Sequence, residues 1–476
     1  SLVDYDFVTG ELVPAAAESW EISEDATVFT FKLREGAKFH NGYPVTAKDF
    51  KFGWERIVNP NTAPDPSAIS YHLGMVKGFD ELLSGGAKEL SGVVAKDDLT
   101  LEVTLTQAYA DFIFVCMHPA LCPVPTGGAA ADYKTYSRAP IGNGPFKIKG
   151  EWVDDQYIQV ERFDDYYGEK ALLDAVDFKI YQSPENAFND FQAGNLDFTQ
   201  IPPGQISATV AQYGESVDGW TIQPGKQCLL GEESSTYYLV INNNDPVLSN
   251  KGIRTAISYA INRQAICDTV FDGTRAPADG IIPPGIAGFH EGAWETAVYN
   301  VEKAKAELAA AGFAGGEGIP TIKLSFNTGG GHENIMQLIQ ADLAAIGIKA
   351  ELNALEWAAY LDALQAGQIQ IGRLGWIADY PIADNFAYAL FYSQSGDNNS
   401  KYNNPTVDAK ILEARQITDT DARVKAYQDV DKLIAADVPV VPVMFYKHTR
   451  VGSQRLNDFF FGPNMIADLE KAWLTK

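Results

Sequence analysis

The chain has 476 residues, enough for a large buried core and, as a rough guide, about three domain-sized units. Hydrophobic residues make up 46% and aromatics 12%, a globular composition, while 62 acidic residues against 37 basic ones leave a formal charge of −25. A field of that sign repels phosphate backbones and anionic membrane surfaces, so nucleic acid is excluded as a partner, and no stretch approaches the ~18 apolar residues of a spanning helix.

The first segment reads as strands. Thr27 to Arg34 alternates apolar and polar residues and ends at Glu35-Gly36. Thr46 then caps a helix through Trp54 and Ile57, with Asp49 three residues on to close a capping box. Leu99 to Leu105 alternates again, and Gly142-Asn-Gly-Pro145 predicts a turn into the strand Phe146 to Ile148. From about residue 235 the pattern changes. Tyr237 to Ile241 is a continuous apolar run of buried-strand type, followed by a helix from Lys251 to Phe271 and another from Val301 to Ala311, capped by Gly312. Thr321 to Phe326 is a strand, His332 to Ile346 a helix, and Ile348 to Leu355 and Ile369 to Leu374 further strands. Strand and helix alternating in this way predict an open α/β sheet. A mixed first third, an α/β stretch and a short final return imply a chain that crosses between lobes more than once.

Four cysteines, Cys116, Cys122, Cys228 and Cys267, are too few for a disulfide framework and show no metal-site spacing. A Cys116–Cys122 bridge and buried free thiols are both compatible with them. The six histidines form no ligand cluster in sequence. No Gly-x-Ser-x-Gly elbow, His-Glu-x-x-His helix or Cys/His nucleophile arrangement is present, and no cofactor or metal is expected. No leader or anchor pattern opens the sequence, so any signal peptide would lie upstream of Ser1.

Several spaced motifs coincide with one family. Ala17-Glu-Ser-Trp20, Phe29 to Gly36, Lys38-Phe-His40-Asn-Gly42 and Pro44-Val-Thr-Ala47 resemble the signature of extracellular solute-binding protein family 5, the receptors of peptide/nickel ABC transporters. Pro140 to Pro145, Ala260-Ile-Asn-Arg263, Gly375 to Tyr380, Tyr402-Asn-Asn-Pro405 and Val438 to Pro442 continue the likeness along the chain. The resemblance implies an α/β chain of the type II periplasmic-binding-protein fold, two α/β lobes joined by a hinge plus a smaller mixed domain. It divides the sequence into an appended α+β domain at 1–134, a first lobe at 135–232 completed by 446–476, and a second lobe at 233–445. It implies a monomeric, non-enzymatic receptor, extracytoplasmic and either periplasmic or lipid-anchored, that delivers short peptides to a membrane permease. Oligosaccharides and nickel or haem chelates remain alternative ligands, and a secreted glycoside hydrolase is an alternative of another class. The likeness also implies that a family segment contributing a first strand and ligand contacts would precede Ser1. A disulfide found in some oligopeptide receptors has no counterpart, because Tyr238 and Ile377 occupy its positions.

A peptide offers an ammonium, a carboxylate, repeating amides and variable side chains. Asp379, after the apolar run Leu374 to Ala378, stands where the family's receptors bind the α-amine; a turn or cap aspartate is its plain alternative. Asn327-Thr-Gly-Gly-Gly331-His332 lies between a strand and a helix, where a glycine run forms either an anion-binding nest or a simple loop. The resemblance carries Asn327, His332 and Arg373 to the ligand's carboxylate end; for Arg373 a salt bridge at the edge of the core is the alternative. It carries Trp357 and Trp376 to the walls of side-chain pockets, where the alternative is a place in the core. Tyr71, Tyr238, Asn398 and Asn399 complete the candidates. The tyrosine that contacts ligand in the first domain of oligopeptide receptors has no counterpart, because Pro64-Asp-Pro66 interrupts the match.

Overall fold

The computed structural model describes residues 1–62, 67–126 and 133–475. The Pro64-Asp-Pro66 interruption lies outside the described residues. The chain forms two compact units, each discontinuous in sequence. Ser1–Tyr181, Glu413–Arg423 and Asp468–Leu474 make the first, and Gln182–Leu412, Val424–Ala467 and Thr475–Lys476 the second, so that residues 182–232 group with the strands that follow them.

In the first unit β1 (Ala17–Ile22), β2 (Val28–Leu33), β3 (Val93–Ala95) and β4 (Thr100–Thr104) form an antiparallel sheet in the order β1-β2-β4-β3. The period-two run predicts its own inner face: Phe29, Phe31 and Leu33 are buried, whereas Thr30 and Lys32 are not. Helix α1 (Ala47–Val58) begins where the Thr46 and Asp49 pattern places it, with Asp49 Oδ2 accepting from the Thr46 N–H at 2.8 Å. Its Trp54 is fully buried and donates Nε1–H to the Leu121 carbonyl at 2.9 Å. A second sheet of three strands joins β5 (Phe146–Ile148), β6 (Tyr157–Arg162) and β7 (Ala175–Lys179) in chain order. The segment Glu413–Arg423 is held by a buried ion pair in which Arg423 Nε and Nη2 each lie 2.7 Å from an Asp111 carboxylate oxygen.

The second unit is built on a six-stranded mixed sheet. Its strands are β8 (Glu232–Ile241), β9 (Ala276–Pro277), β10 (Ile322–Asn327), β11 (Ala350–Leu355), β12 (Ile371–Ile377) and β13 (Val440–Lys447), in the order β9-β13-β8-β12-β10-β11. The apolar run at Tyr237 to Ile241 sits centrally, flanked by β12 and β13, which explains why it lacks alternation. Tyr237, Leu239 and Ile241 pack with Ile257, Ile266, Leu324, Ile339 and Leu343 in the main core.

Two expectations are corrected. The helix predicted from Lys251 to Phe271 is two helices, α2 (Lys251–Ala260) and α3 (Arg263–Phe271). Ile261 is extended between them, and Asn262 caps α3 by accepting from the Ala265 N–H at 3.1 Å. The break is locked by Arg263, whose buried guanidinium donates to the Pro442 carbonyl at 2.7 Å and the Ser258 carbonyl at 3.0 Å. The four cysteines are all unbridged, so the Cys116–Cys122 option is not taken. No helix among the described residues is long and apolar enough to cross a membrane.

Candidate functional site

Strands β10, β11 and β12 are parallel, and both β12 and β13 run antiparallel to β8. The carboxyl ends of β10 to β13 therefore emerge on one edge of the sheet, beside the start of β8. Open α/β sheets present ligand-binding groups on that edge, because the loops following the strands are free to vary while the strands stay fixed. Six of the ten candidates occupy it. Asn327 ends β10, His332 precedes α4 (Glu333–Ala345), Trp357 opens α5 (Trp357–Gln365) directly after β11, and Arg373, Trp376 and Asp379 lie on or just beyond β12.

Two clusters form there. Around Asp379 the organising residue is Asn385, in the first turn of α6 (Asp384–Phe391) and fully buried. Its Oδ1 accepts from Trp376 Nε1–H and from the Asp379 backbone N–H, each at 3.0 Å, and its Nδ2 donates to Asp379 Oδ2 at 3.0 Å. One amide thus fixes the Trp376 ring and orients the half-buried Asp379 carboxylate. Sequence reasoning missed Asn385; an amide six residues past the aspartate, at a helix start among apolar residues, is the signal that marks it.

The second cluster surrounds Arg373. Its Nε and Nη2 donate to Asn327 Oδ1 at 2.8 and 2.5 Å, and its guanidinium carbon lies 5.8 Å from the Trp357 ring centroid and 5.9 Å from that of Tyr237. The arginine is answered by a neutral amide and aromatic faces, and among the described residues it forms no salt bridge, the alternative expected for it. Trp357 is 49% exposed and stacks on Tyr360 at 6.2 Å, which makes it a surface ring rather than a core residue. His332 lies 5.8 Å from Tyr237, ring to ring, and a side chain on Gly330 would come within 2.3 Å of His332 Nε2. Glycine at 330 is therefore what lets the imidazole fold back over its own loop. Burial, then the charges of Arg373 and Arg275, lower the His332 pKa to about 3, so the ring is neutral near pH 7.

Three further candidates of this unit, Tyr238, Asn398 and Asn399, are not gathered here. Tyr238 is buried within the sheet, opposite Leu374 and Pro442, and burial pushes its phenol pKa up. Ile377 pairs with Ser235, so the two residues standing in for the disulfide are not cross-strand partners. Asn398 donates to the carbonyls of Tyr402 and Tyr392 and accepts from Ser400 Oγ and the Tyr402 N–H. Asn399 donates to the Asp397 carbonyl in the same loop. That loop meets Asn243, just past the far end of β8, on the edge opposite Asp379. Tyr71 belongs to the first unit, where it is buried with its ring 4.2 Å from His72.

The sequence profile of the bacterial extracellular solute-binding proteins, family 5 (middle), matches residues 11–398. The chain belongs to that family. It is 30% identical to the oligopeptide-binding protein OppA of Bacillus subtilis over 461 residues, covering 94% of this chain and 82% of that protein. It is 29% identical to heme-binding protein A of Haemophilus influenzae, covering 93% of this chain and 80% of that one. The crystal structure of Haemophilus influenzae OppA in complex with the peptide RPPGFSPFR superposes with a TM-score of 0.83 at 28% identity, over 100% of this chain and 92% of that one. Family membership and this likeness give the chain the type II periplasmic-binding-protein fold expected from its motifs. The family is a class of solute-binding receptors.

Proposed function

We propose that this protein is the extracytoplasmic receptor of an ABC importer, which captures short peptides and delivers them to a membrane permease without catalysing a reaction. The observation that carries this reading is a pair of opposite charges, Arg373 within β12 and Asp379 two residues beyond its end. Asp379 presents a carboxylate aimed by Asn385, and Arg373 presents a guanidinium held by a neutral amide. A zwitterionic peptide carries an ammonium able to pair with a carboxylate and a carboxylate able to pair with a guanidinium. Trp376 and the exposed Trp357 offer ring area that accepts many side chains. The relatives whose names describe oligopeptide binding support the peptide part of this reading; a monomer working outside the cytoplasm completes the proposal. The likeness to heme-binding protein A motivates a second reading, in which the receptor takes a non-peptide solute.

Titration calorimetry separates the two. Trialanine with a free amino terminus binds, N-acetyl-trialanine binds at least a hundredfold more weakly, and Asp379→Ala lowers trialanine affinity by roughly two to four decades, the ~3–5 kcal/mol of a buried charge losing its partner. Equal affinity for the free and acetylated peptides, or a loss below tenfold in the variant, would remove Asp379 from the amine role. Haem binding with no peptide binding would favour the second reading.

A further inference from the structure

Beside the Arg373 cluster lies a second guanidinium that neither the sequence motifs nor the reading above uses. Arg275 sits between α3 and β9, its guanidinium carbon 3.8 Å from the Phe271 ring centroid and 4.7 Å from that of Tyr446. Its Nε is sealed from solvent without a hydrogen-bond partner, and the polar contact of its Nη1 is the Met444 sulfur at 3.9 Å. The carboxylate whose charge reaches it, Glu233, is engaged elsewhere, 2.9 Å from His448 Nδ1 and accepting from Ser235 Oγ at 3.0 Å.

Two further polar atoms near Arg275 are also sealed and unpartnered. Tyr237 is fully buried with no partner for its hydroxyl, and His332 has none for Nδ1. The rings link into one group, with Tyr446 to Tyr237 at 5.9 Å and Tyr237 to His332 at 5.8 Å. The Tyr446 hydroxyl lies over β12, where a Cβ on Gly375 would come within 2.8 Å of it. Arg275, His332 and Tyr446 are half-buried, so the group reaches the surface of its unit. Buried polar groups are normally satisfied, and a buried charge is normally paired. Here a guanidinium Nε, a phenol and an imidazole nitrogen, each able to donate, belong to one linked group and have no hydrogen-bond partner among the described residues.

We propose that Arg275, with Tyr237, Tyr446 and His332, forms a second anion subsite that takes a carboxylate carried by the ligand in addition to its terminal one. The preferred ligands are then short peptides with an acidic residue at or next to the carboxyl end. This rests on the peptide reading for the identity of the ligand, but the anion site itself does not.

The test compares Ala-Ala-Glu with Ala-Ala-Gln, both with free termini, by calorimetry on the full chain. The acidic peptide binds the wild type at least tenfold more tightly. Arg275→Met keeps the stack on Phe271 and removes the charge; it erases that preference and leaves Ala-Ala-Gln affinity within about twofold. Its unliganded melting temperature does not fall, because an unpaired buried charge has been removed. Tyr237→Phe, which deletes only the hydroxyl, reduces the preference in the same direction and serves if the arginine variant does not fold. No preference in the wild type, or a preference that survives both substitutions, overturns the proposal. Thermal shift with glutarate is the separate arm. If no peptide binds, the peptide reading fails, yet a glutarate shift seen in the wild type and lost in Arg275→Met upholds the anion site; no arginine-dependent glutarate effect then overturns both.

Discussion

His332 offers the sharpest check on the electrostatics of the site. Its pKa falls from 6.5 to about 3 through burial and the charges of Arg373 and Arg275. Between those values the unfolded chain binds a proton that the folded chain refuses, so folding stability is complete above 6.5 and is lost as pH falls toward 3. At pH 5.0 the loss amounts to about 2 kcal/mol relative to pH 7.5, from the ratio of the two binding polynomials at 1.36 kcal/mol per pKa unit. His332→Gln keeps a planar polar side chain but cannot titrate. Urea unfolding of both proteins at the two pH values should show the variant gaining about 2 kcal/mol on the wild type at the lower pH. A ligand carboxylate beside the ring reverses the charge balance and raises its pKa. Peptide binding at pH 5.0 should then take up a fraction of a proton, read from the buffer dependence of the binding enthalpy, and the uptake should vanish in His332→Gln. Parallel stability profiles for the two proteins would refute this account of His332, and proton release on binding would refute its place beside a carboxylate.

Three other outcomes follow from single contacts. Asp431, 2% exposed and accepting from Trp294 Nε1–H at 2.8 Å, has its carboxyl pKa raised to about 6, chiefly by burial. The stability from its protonated form is present below pH 3.8 and lost as pH rises through 6, so Asp431→Asn should be more favourable at pH 8 than at pH 4 by about 2 kcal/mol; equal effects at both would contradict the shift. Asn385→Leu should weaken peptide binding by about tenfold, or ~1.4 kcal/mol, because Asp379 loses an amide donor and Trp376 its acceptor. Unchanged affinity in calorimetry would show that Asn385 does not aim the carboxylate. Arg423→Met should cost about 3–5 kcal/mol in denaturant unfolding, because it removes one partner of a buried ion pair; a loss below about 1 kcal/mol would mean the pair is not buried in solution.

What the sequence determined by itself is what short-range physics controls. Alternation in Val28–Leu33 predicts both a strand and its buried face, because side-chain direction has a period of two. Thr46 and Asp49 mark the start of α1, because a helix end must satisfy its own backbone N–H groups within one turn. The motif around Gly375 to Tyr380 points to Asp379, and the strand ending at Ile377 is visible in its apolar run. Only the tertiary structure decided the rest. The split at Ile261 is set by Arg263 reaching the Pro442 carbonyl, 179 residues away, which no local pattern reports. Asn398 and Asn399 are as polar as Asn327, yet the sheet sends them to its opposite edge. Asn385 and Arg275 carry no motif of their own; one matters through the amide it turns toward Trp376 and Asp379, the other through the acceptor it lacks. Hydrogen-bond partners and unpaired charges are properties of groups far apart in the chain and close in space, so they become visible only when β8, β12 and β13 lie side by side.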